Sequence, residues 1–590
     1  MAESIISPGV FQRENDISFV QPAPIAAGAA FIGPTVKGPI EIPTIVTSYN
    51  NYLRIFGDTF ISASTSYEYL TSLSVKNYFS QGGQTALITR VANTAANYST
   101  AVNTWISASA TTGALTGSQP FTLATLGRGA MYNSATSSNH PIVSSTTYLN
   151  SDGSLISGSV DNIRWEISNI NNTLGTFTVS VRQGNDNTNN KTVLETFNNV
   201  SLDPNSDNYI ASVIGDQVQA FATDGTSYYL NTTGSYPNRS NYIRVSAVNN
   251  KTINYLANDG VTVNRDATGA SYSGSLPNSQ SGSFFNATGT IANGANYFST
   301  INSSNTQGLV GTDYTNAIRL LSNKDDYQFN IIVAPGLTYA NTTTQLDSIV
   351  SLAESRGDCI AVIDLVNYGS TLAGATTKAL SLNTSYGASY WPWVQMRSAT
   401  GRNEWCPASV VIPGVYAFTD AAAAPWFAPA GLVRGGIPGV IQTERRLSKS
   451  DRDNLYAGKV NPIATFPGTG ISIMGQKTLQ SKASALDRVN VRRLLIDLKK
   501  FIGDQARTLV FEQNTISTRN KFLAAVNPYL ESVVQRQGLY AYRVVMDDTN
   551  NTADVVDRNQ LIGQIYIQPA KTIEFVVLDF VIEPTGVTFG

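Results

Sequence analysis

The residues able to do chemistry are few, and their spacing is wrong for most of it. The single histidine, His140, sits in Ser138-Asn139-His140-Pro141, a polar loop sequence. One histidine cannot supply a Ser-His-Asp triad or a His-rich metal site within one chain. Cys359 and Cys406 lie far apart beside apolar residues, which reads as two buried free thiols with no zinc spacing. Gly470-Ile471-Ser472-Ile473-Met474-Gly475-Gln476-Lys477-Thr478 approaches a phosphate loop, but Gln476 stands where the lysine must follow the second glycine. Gly431 to Gly439 lacks the dinucleotide spacing and reads as a turn or hinge. Asp325-Asp326 and Asp547-Asp548 are adjacent carboxylates beside strand signals, a pattern more common in turns than in acid-base pairs. The expectation is a protein that is not an enzyme and needs no cofactor and no metal. A carboxylate-based glycoside hydrolase remains an alternative, since sequence does not set the separation of two carboxylates.

The other group with chemical character is basic. Arg492, Arg493, Lys499 and Lys500 fall on a stretch with Leu494, Leu495, Ile496, Leu498, Phe501 and Ile502, an amphipathic helix with a positive face. From Glu444 to Arg543 there are 17 Lys and Arg against 8 Asp and Glu, an excess of nine positive charges, which leaves minus eleven on the rest. The whole chain carries only -2, so it is no electrostatic binder of nucleic acid. The split instead suits docking on an acidic protein surface; a solvated helix face is the plain alternative. Charged residues make up 14% of the chain, below the roughly 25% of ordinary soluble proteins. Ser, Thr, Asn and Gly replace them, giving a surface that packs against copies of itself without strong repulsion.

The elements that must position these residues fall into a pattern. At 590 residues, and roughly 100–200 residues per domain, about three to five domains are expected. Residues 1–25 read as an extended arm, with Val10, Phe11 and Phe19 among prolines that disfavour helix. Residues 26–91 mix strand and helix: a strand at Ala29–Ile32, apolar helical spacing from Ser66 to Phe79, and a strand from Thr85 to Val91. From 92 to 307 charges thin out, and short alternating runs such as Thr176–Val181 are separated by turn clusters, which reads as one or two β-rich domains. Residues 308–570 turn α/β. Phe329–Ala334 is a buried strand ending at Pro335-Gly336, Thr342–Ser355 a helix, Asp358–Asp364 a strand, and Gln476–Ala525 a helical stretch. Strands follow at Leu539–Met546 and Leu561–Ile567. Within the segment 571–590, Thr572–Ile582 is apolar on both faces, with Ile573, Phe575 and Val577 on one side and Val576, Leu578 and Phe580 on the other. Such a strand belongs inside a sheet, and at a terminus that sheet can be a neighbour's. The start has no signal-peptide pattern, and no apolar run of about 18 residues suggests a membrane span.

Several segments resemble, in order, those of contractile tail sheath proteins of myovirus-like, T-even-like phages. These are Ser7-Pro8-Gly9-Val10-Phe11, Ala30 to Pro39, Gly175 to Val179, Leu194 to Leu202, Asn330 to Gly336, Trp405 to Ser409, Phe511 to Thr515, and the closing strands through Ile582-Glu583-Pro584. The resemblance implies an α+β multidomain fold: an α/β core built from N- and C-terminal parts, an inserted outward-facing β-rich region, and extended terminal arms that add strands to neighbouring subunits. It implies a structural subunit that polymerises as stacked helical rings around a tail tube and contracts. Expected partners are itself, the tail tube protein, and baseplate and tail terminator proteins, with no direct nucleic acid and no membrane insertion. Expected location is the virion tail, after assembly in the host cytoplasm. Arm residues Val10, Phe11, Phe19, Ile573, Phe575, Val577 and Phe580 would link subunits, and Arg492, Arg493, Lys499 and Lys500 would face the tube. Alternatives are the sheath of a bacterial injection or bacteriocin-like particle, and a β-rich adhesin or carbohydrate-binding protein.

Overall fold

The computed structural model describes residues 27–62, 65–93, 98–106, 119–129, 149–156, 158–225, 227–252, 276–285, 287–288 and 309–575. His140, Val10, Phe11, Phe19, Val577 and Phe580 lie outside these residues. At the centre stands an eight-stranded sheet. Its strands are β1 (Ala27–Gly33), β2 (Thr44–Val46), β3 (Ala86–Arg90), β4 (Phe329–Thr338), β5 (Ile360–Asp364), β6 (Gly387–Trp391), β7 (Asn461–Phe466) and β8 (Gly470–Ile473). Their order is β2-β3-β1-β4-β5-β6-β7-β8. The six inner strands run parallel, and β2 and β8 close the edges antiparallel. Thus β1, from the start of the chain, is wedged between β3 and β4, with Phe31 level with Ile88 and Val333. Two distant parts of the sequence make one sheet.

The strands are apolar in both directions because both faces are covered, as parallel sheets require. Ala29, Phe31, Ile331, Val333, Ile360 and Val362 point to one side, against α1 (Leu70–Ser80), α3 (Ile412–Ala422) and the start of α4 (Val489–Arg507). Ala30, Ile32, Ile332, Ala361 and Ile363 point to the other, against α2 (Thr343–Arg356) and the helix Leu372–Leu380.

Three local expectations are corrected. The helix expected from Ser66 begins at Leu70, because Ser66 pairs across a hairpin with Ile61. Pro335-Gly336 does not end its strand. β4 runs on to Thr338 through a register shift, with Gly336 at φ +99°, where a side chain would be strained. The stretch Gln476–Ala525 is not one helix. Residues 476–488 form a loop braced by Lys477 N–H on the Asn461 side chain, and α4 is followed by α5 (Ile516–Gln535), whose Thr515 cap accepts from the Thr518 N–H.

Between β3 and β4 lies a seven-stranded antiparallel sheet with strands from Thr100 to Phe285, packed around Phe121, Trp165 and Phe177. Its joint to the central sheet is polar. The guanidinium of Arg90, at the end of β3, donates to the Gly38 and Arg128 carbonyls, and Lys37 Nζ donates to the Asp161 carbonyl.

The chain ends in a smaller unit. α4 and α5 carry a hairpin of β9 (Leu539–Val545) and β10 (Gln564–Pro569) over a core of Trp426, Leu494, Leu498, Phe522, Val526 and Leu530. α4 serves both cores: Val489 and Ile496 face the central sheet, while Leu494 and Leu498 face the hairpin unit.

Candidate assembly surfaces

The β9–β10 hairpin is a two-stranded sheet with no third strand among the described residues. Tyr542, Val544, Ile565 and Ile567 pack toward α5, while Tyr540 and Tyr566 stay exposed. Unpaired strand edges present rows of backbone donors and acceptors ready to receive another strand. Beyond β10 the chain crosses back to the central-sheet domain. There Ile573 is 82% exposed and Phe575 78%, while Glu574 between them turns inward. Alternation in an extended segment puts residues i and i+2 on one side. Two large apolar side chains pointing outward make an apolar surface left uncovered among the described residues.

Glu574 is held tightly. Arg488 donates to both carboxylate oxygens (2.7 and 3.0 Å), the Tyr456 hydroxyl at 2.7 Å and the Gln476 amide at 3.1 Å. Burial by itself would raise the pKa of this carboxyl, but the hydrogen bonds from Arg488, Tyr456 and Gln476 outweigh it and hold the value below the usual range. Two positions earlier, Asn490 Nδ2 donates to the Thr572 hydroxyl at 3.1 Å. Sequence reasoning passed over Glu574. The available signal was one carboxylate interrupting the apolar run Ile573-Glu574-Phe575-Val576-Val577.

The four basic residues on α4 do not form one surface. Arg492 and Arg493 are only 4% and 3% exposed. Arg493 pairs with Asp420 on α3 and lies 4.7 Å from the Tyr416 ring centre; the Tyr416 hydroxyl meets that of Tyr390 on β6 at 2.7 Å. Arg492 donates to the Ser385 hydroxyl and lies over the Tyr386 ring at 4.0 Å. Both arginines are therefore internal struts, and the expectation that they face outward with the lysines is corrected. Lys499 and Lys500 are exposed on the last turns of α4 and line a cleft of about 320 Å³ with Lys324, Arg507, Asp358 and Asp504.

The groups weighed for catalysis are accounted for. Cys359 and Cys406 are buried free thiols, and burial pushes both pKa values up, away from reactivity. Gly470–Ile473 is the edge strand β8, and Lys477 rests 4.4 Å from the Tyr456 ring centre. Asp325 pairs with Arg507, Asp548 pairs with Arg519, and Asp547 closes a turn by accepting from the Thr549 N–H. Among the described residues no group of three or more His, Cys, Asp or Glu could hold a metal ion, and no helix is long and apolar enough to cross a membrane.

Comparison with known proteins bears on what this arrangement is for. Residues 307–479 match the phage tail sheath protein central domain, and residues 481–583 match the phage tail sheath C-terminal domain. Over these two regions the chain is similar to contractile phage tail sheath proteins. The first of these matches covers β4 to β8, and the second covers α4, α5, the hairpin and the clamped Glu574. The tail sheath protein of Vibrio phage KVP40 is 34% identical over 304 residues, 47% of this chain and 45% of that protein. That of Enterobacteria phage T4 is 32% identical over 312 residues, 49% of this chain and 47% of the relative. Each match thus spans about half the length of the curated relative. A crystal structure of a sheath tail protein from Listeria innocua aligns over 93% of both chains with a TM-score of 0.52 at 10% identity, a likeness of fold.

Proposed function

We propose that this chain is the repeating subunit of a contractile tail sheath, polymerising in stacked helical rings around a tail tube and contracting to drive the tube through the host envelope. One observation carries the reading: a hairpin with no third strand among the described residues and a segment at 573–575 that points large apolar residues outward occur in the same subunit. A hairpin with free edges can accept a strand from one neighbour while the terminus reaches another, so main-chain hydrogen bonds link the polymer. Five such bonds contribute roughly 3–8 kcal/mol at about 0.5–1.5 each. Those links hold while whole subunits tilt, and a difference of a few kcal/mol per subunit, summed along the polymer, makes the change one-way.

The partners proposed are further copies of the chain, a tail tube protein, and baseplate and tail terminator proteins, in a virion tail assembled in the host cytoplasm. No nucleic-acid contact or membrane insertion is proposed. The domain limits suit this use: 26–91 and 308–570 as the core, 92–307 facing outward, and 1–25 and 571–590 as arms, with Val10, Phe11, Phe19, Ile573, Phe575, Val577 and Phe580 at the links. Lys499 and Lys500 are the proposed contact to an acidic tube surface, now without Arg492 and Arg493. The curated relatives are phage proteins, which favours a virus tail over a bacterial injection particle.

The test is electron microscopy of the purified, concentrated chain beside one lacking residues 1–20 and 571–590. Hollow helical tubes from the full chain alone are expected. Tubes from both would overturn the strand-linking reading.

A further inference from the structure

The segment Thr572–Phe575 is fastened in an unusual way. Chain segments dock on a domain mostly by burying apolar side chains. Here the two apolar residues, Ile573 and Phe575, face outward, and the attachment is polar throughout: Glu574 to Arg488, Tyr456 and Gln476, and Thr572 to Asn490. The partners come from three elements of the central-sheet domain: the helix Lys449–Ala457, the loop after β8, and the lead-in and first turn of α4. A bidentate arginine–carboxylate pair fixes direction as well as distance. None of these bonds closes a core, since the residues they fasten contribute nothing apolar to one.

From this geometry we infer that Glu574 is a positioning residue for subunit linkage: its grip on Arg488, Tyr456 and Gln476 sets where, and in which direction, the C-terminal arm leaves the subunit. The inference rests on the proposed sheath assembly and adds its anchor point. The last backbone tie before the clamp is the Ala570 N–H on the Gly538 carbonyl, which belongs to the hairpin unit. With the clamp intact, the arm starts from the central-sheet domain just after Phe575. Without it, the arm starts from the hairpin unit at Ala570, five residues earlier and from a different part of the molecule. A longer and less directed tether lowers the effective concentration of its end at the neighbour.

The experiment compares the full chain with Glu574→Ala, Glu574→Gln, the reversed pair Glu574→Arg with Arg488→Glu, and a chain lacking 571–590. Mobility of the segment is read on the isolated subunit from a nitroxide attached at Ile573→Cys, and tube formation, on the unlabelled chains, by sedimentation and microscopy. For Glu574→Ala the expected result is a melting temperature little changed, a label at position 573 markedly more mobile than in the parent, and a critical concentration for tubes raised by about tenfold. Glu574→Gln, which keeps the shape and loses the charge, should fall between. The reversed pair should recover part of the assembly, which a merely destabilising change would not. If the label in Glu574→Ala is no more mobile than in the parent, or the variant assembles like the parent, the inference is wrong. If the chain lacking 571–590 also assembles like the parent, the sheath-linking reading fails with it; if that deletion abolishes tubes, only the clamp is refuted.

Discussion

The eight-stranded sheet and the β9–β10 hairpin are made of similar strands and sit in opposite situations. In the sheet each inner strand has a neighbour on both edges and helices on both faces, so Phe31, Ile88, Val333 and Val362 are sealed. In the hairpin one face rests on α5, the other carries exposed Tyr540 and Tyr566, and no third strand is present among the described residues. The sheet's inner strands are paired on both edges within the subunit, while among the described residues each hairpin strand is paired on one edge only, which the proposed assembly would use. Mutations in the first region should therefore cost folding, and mutations in the second should cost assembly.

The sharpest break of that comparison lies in the interior. Arg493→Ala should destabilise the fold by about 3–5 kcal/mol, because it strands a mostly buried Asp420 without its partner. Phe31→Ala should cost a similar amount, about 3–5 kcal/mol, by opening a cavity under α1. Chemical denaturation checks both. A cost under about 1 kcal/mol at either site would mean that the core is looser than its burial indicates. On the same α4, Lys499→Glu with Lys500→Glu should change stability by no more than about 0.5 kcal/mol. Loss of sheath assembly around purified tubes in that variant would support the proposed contact, and normal assembly would remove it.

A pH effect of intermediate size belongs to Glu68, buried beside the central sheet, where its Oε2 accepts the Ala399 N–H at 2.6 Å. Burial, with Asp58 nearby, pushes its pKa from 4.5 to about 8. The native state thus favours the neutral acid. Its contribution is fully present below the unfolded value near 4.5 and is lost as pH rises through about 8. The melting temperature should fall from pH 5 to pH 9, and Glu68→Gln should flatten that fall. A parallel decline in both proteins would assign it to other groups. The clamp has the opposite sign. The depressed pKa of Glu574 contributes above the usual carboxylate value and is lost as pH falls through the lowered one. The mobility of a nitroxide attached at Ile573→Cys should therefore rise in acid, and a flat profile would break the assignment. The smallest effect is expected at Tyr540→Ala and Tyr566→Ala: stability within about 0.5 kcal/mol of the parent, with weaker tube formation. Calorimetry and sedimentation separate the two.

Much of the sheet was legible because its signals are local. Ala29–Ile32, Ile331–Ala334 and Cys359–Ile363 are apolar at every position, and only a strand covered on both faces permits that. The hairpin strands were legible as apolar runs, whereas the exposure of Ile573 and Phe575 was not, since their run reads as a strand covered on both faces. The Glu574 clamp was not legible. Its partners lie 86 to 118 residues away in sequence, and nothing near Tyr456, Gln476 or Arg488 marks them as a set.

The sequence by itself determined which chemistry is out of reach, with one histidine and two isolated cysteines, and that the strands need cover on both sides. It also placed Arg492 with Lys499, and Arg493 with Lys500, on the same stripes of α4, since seven residues make nearly two whole turns. Only the tertiary structure decided that the first of each pair is buried and the second exposed. Seven residues are also about 10 Å along the axis. Over that distance α4 passes from the packing of α3, Tyr386 and Tyr416 out to an open cleft. Helical spacing sets the direction of a side chain; what stands in that direction belongs to the fold.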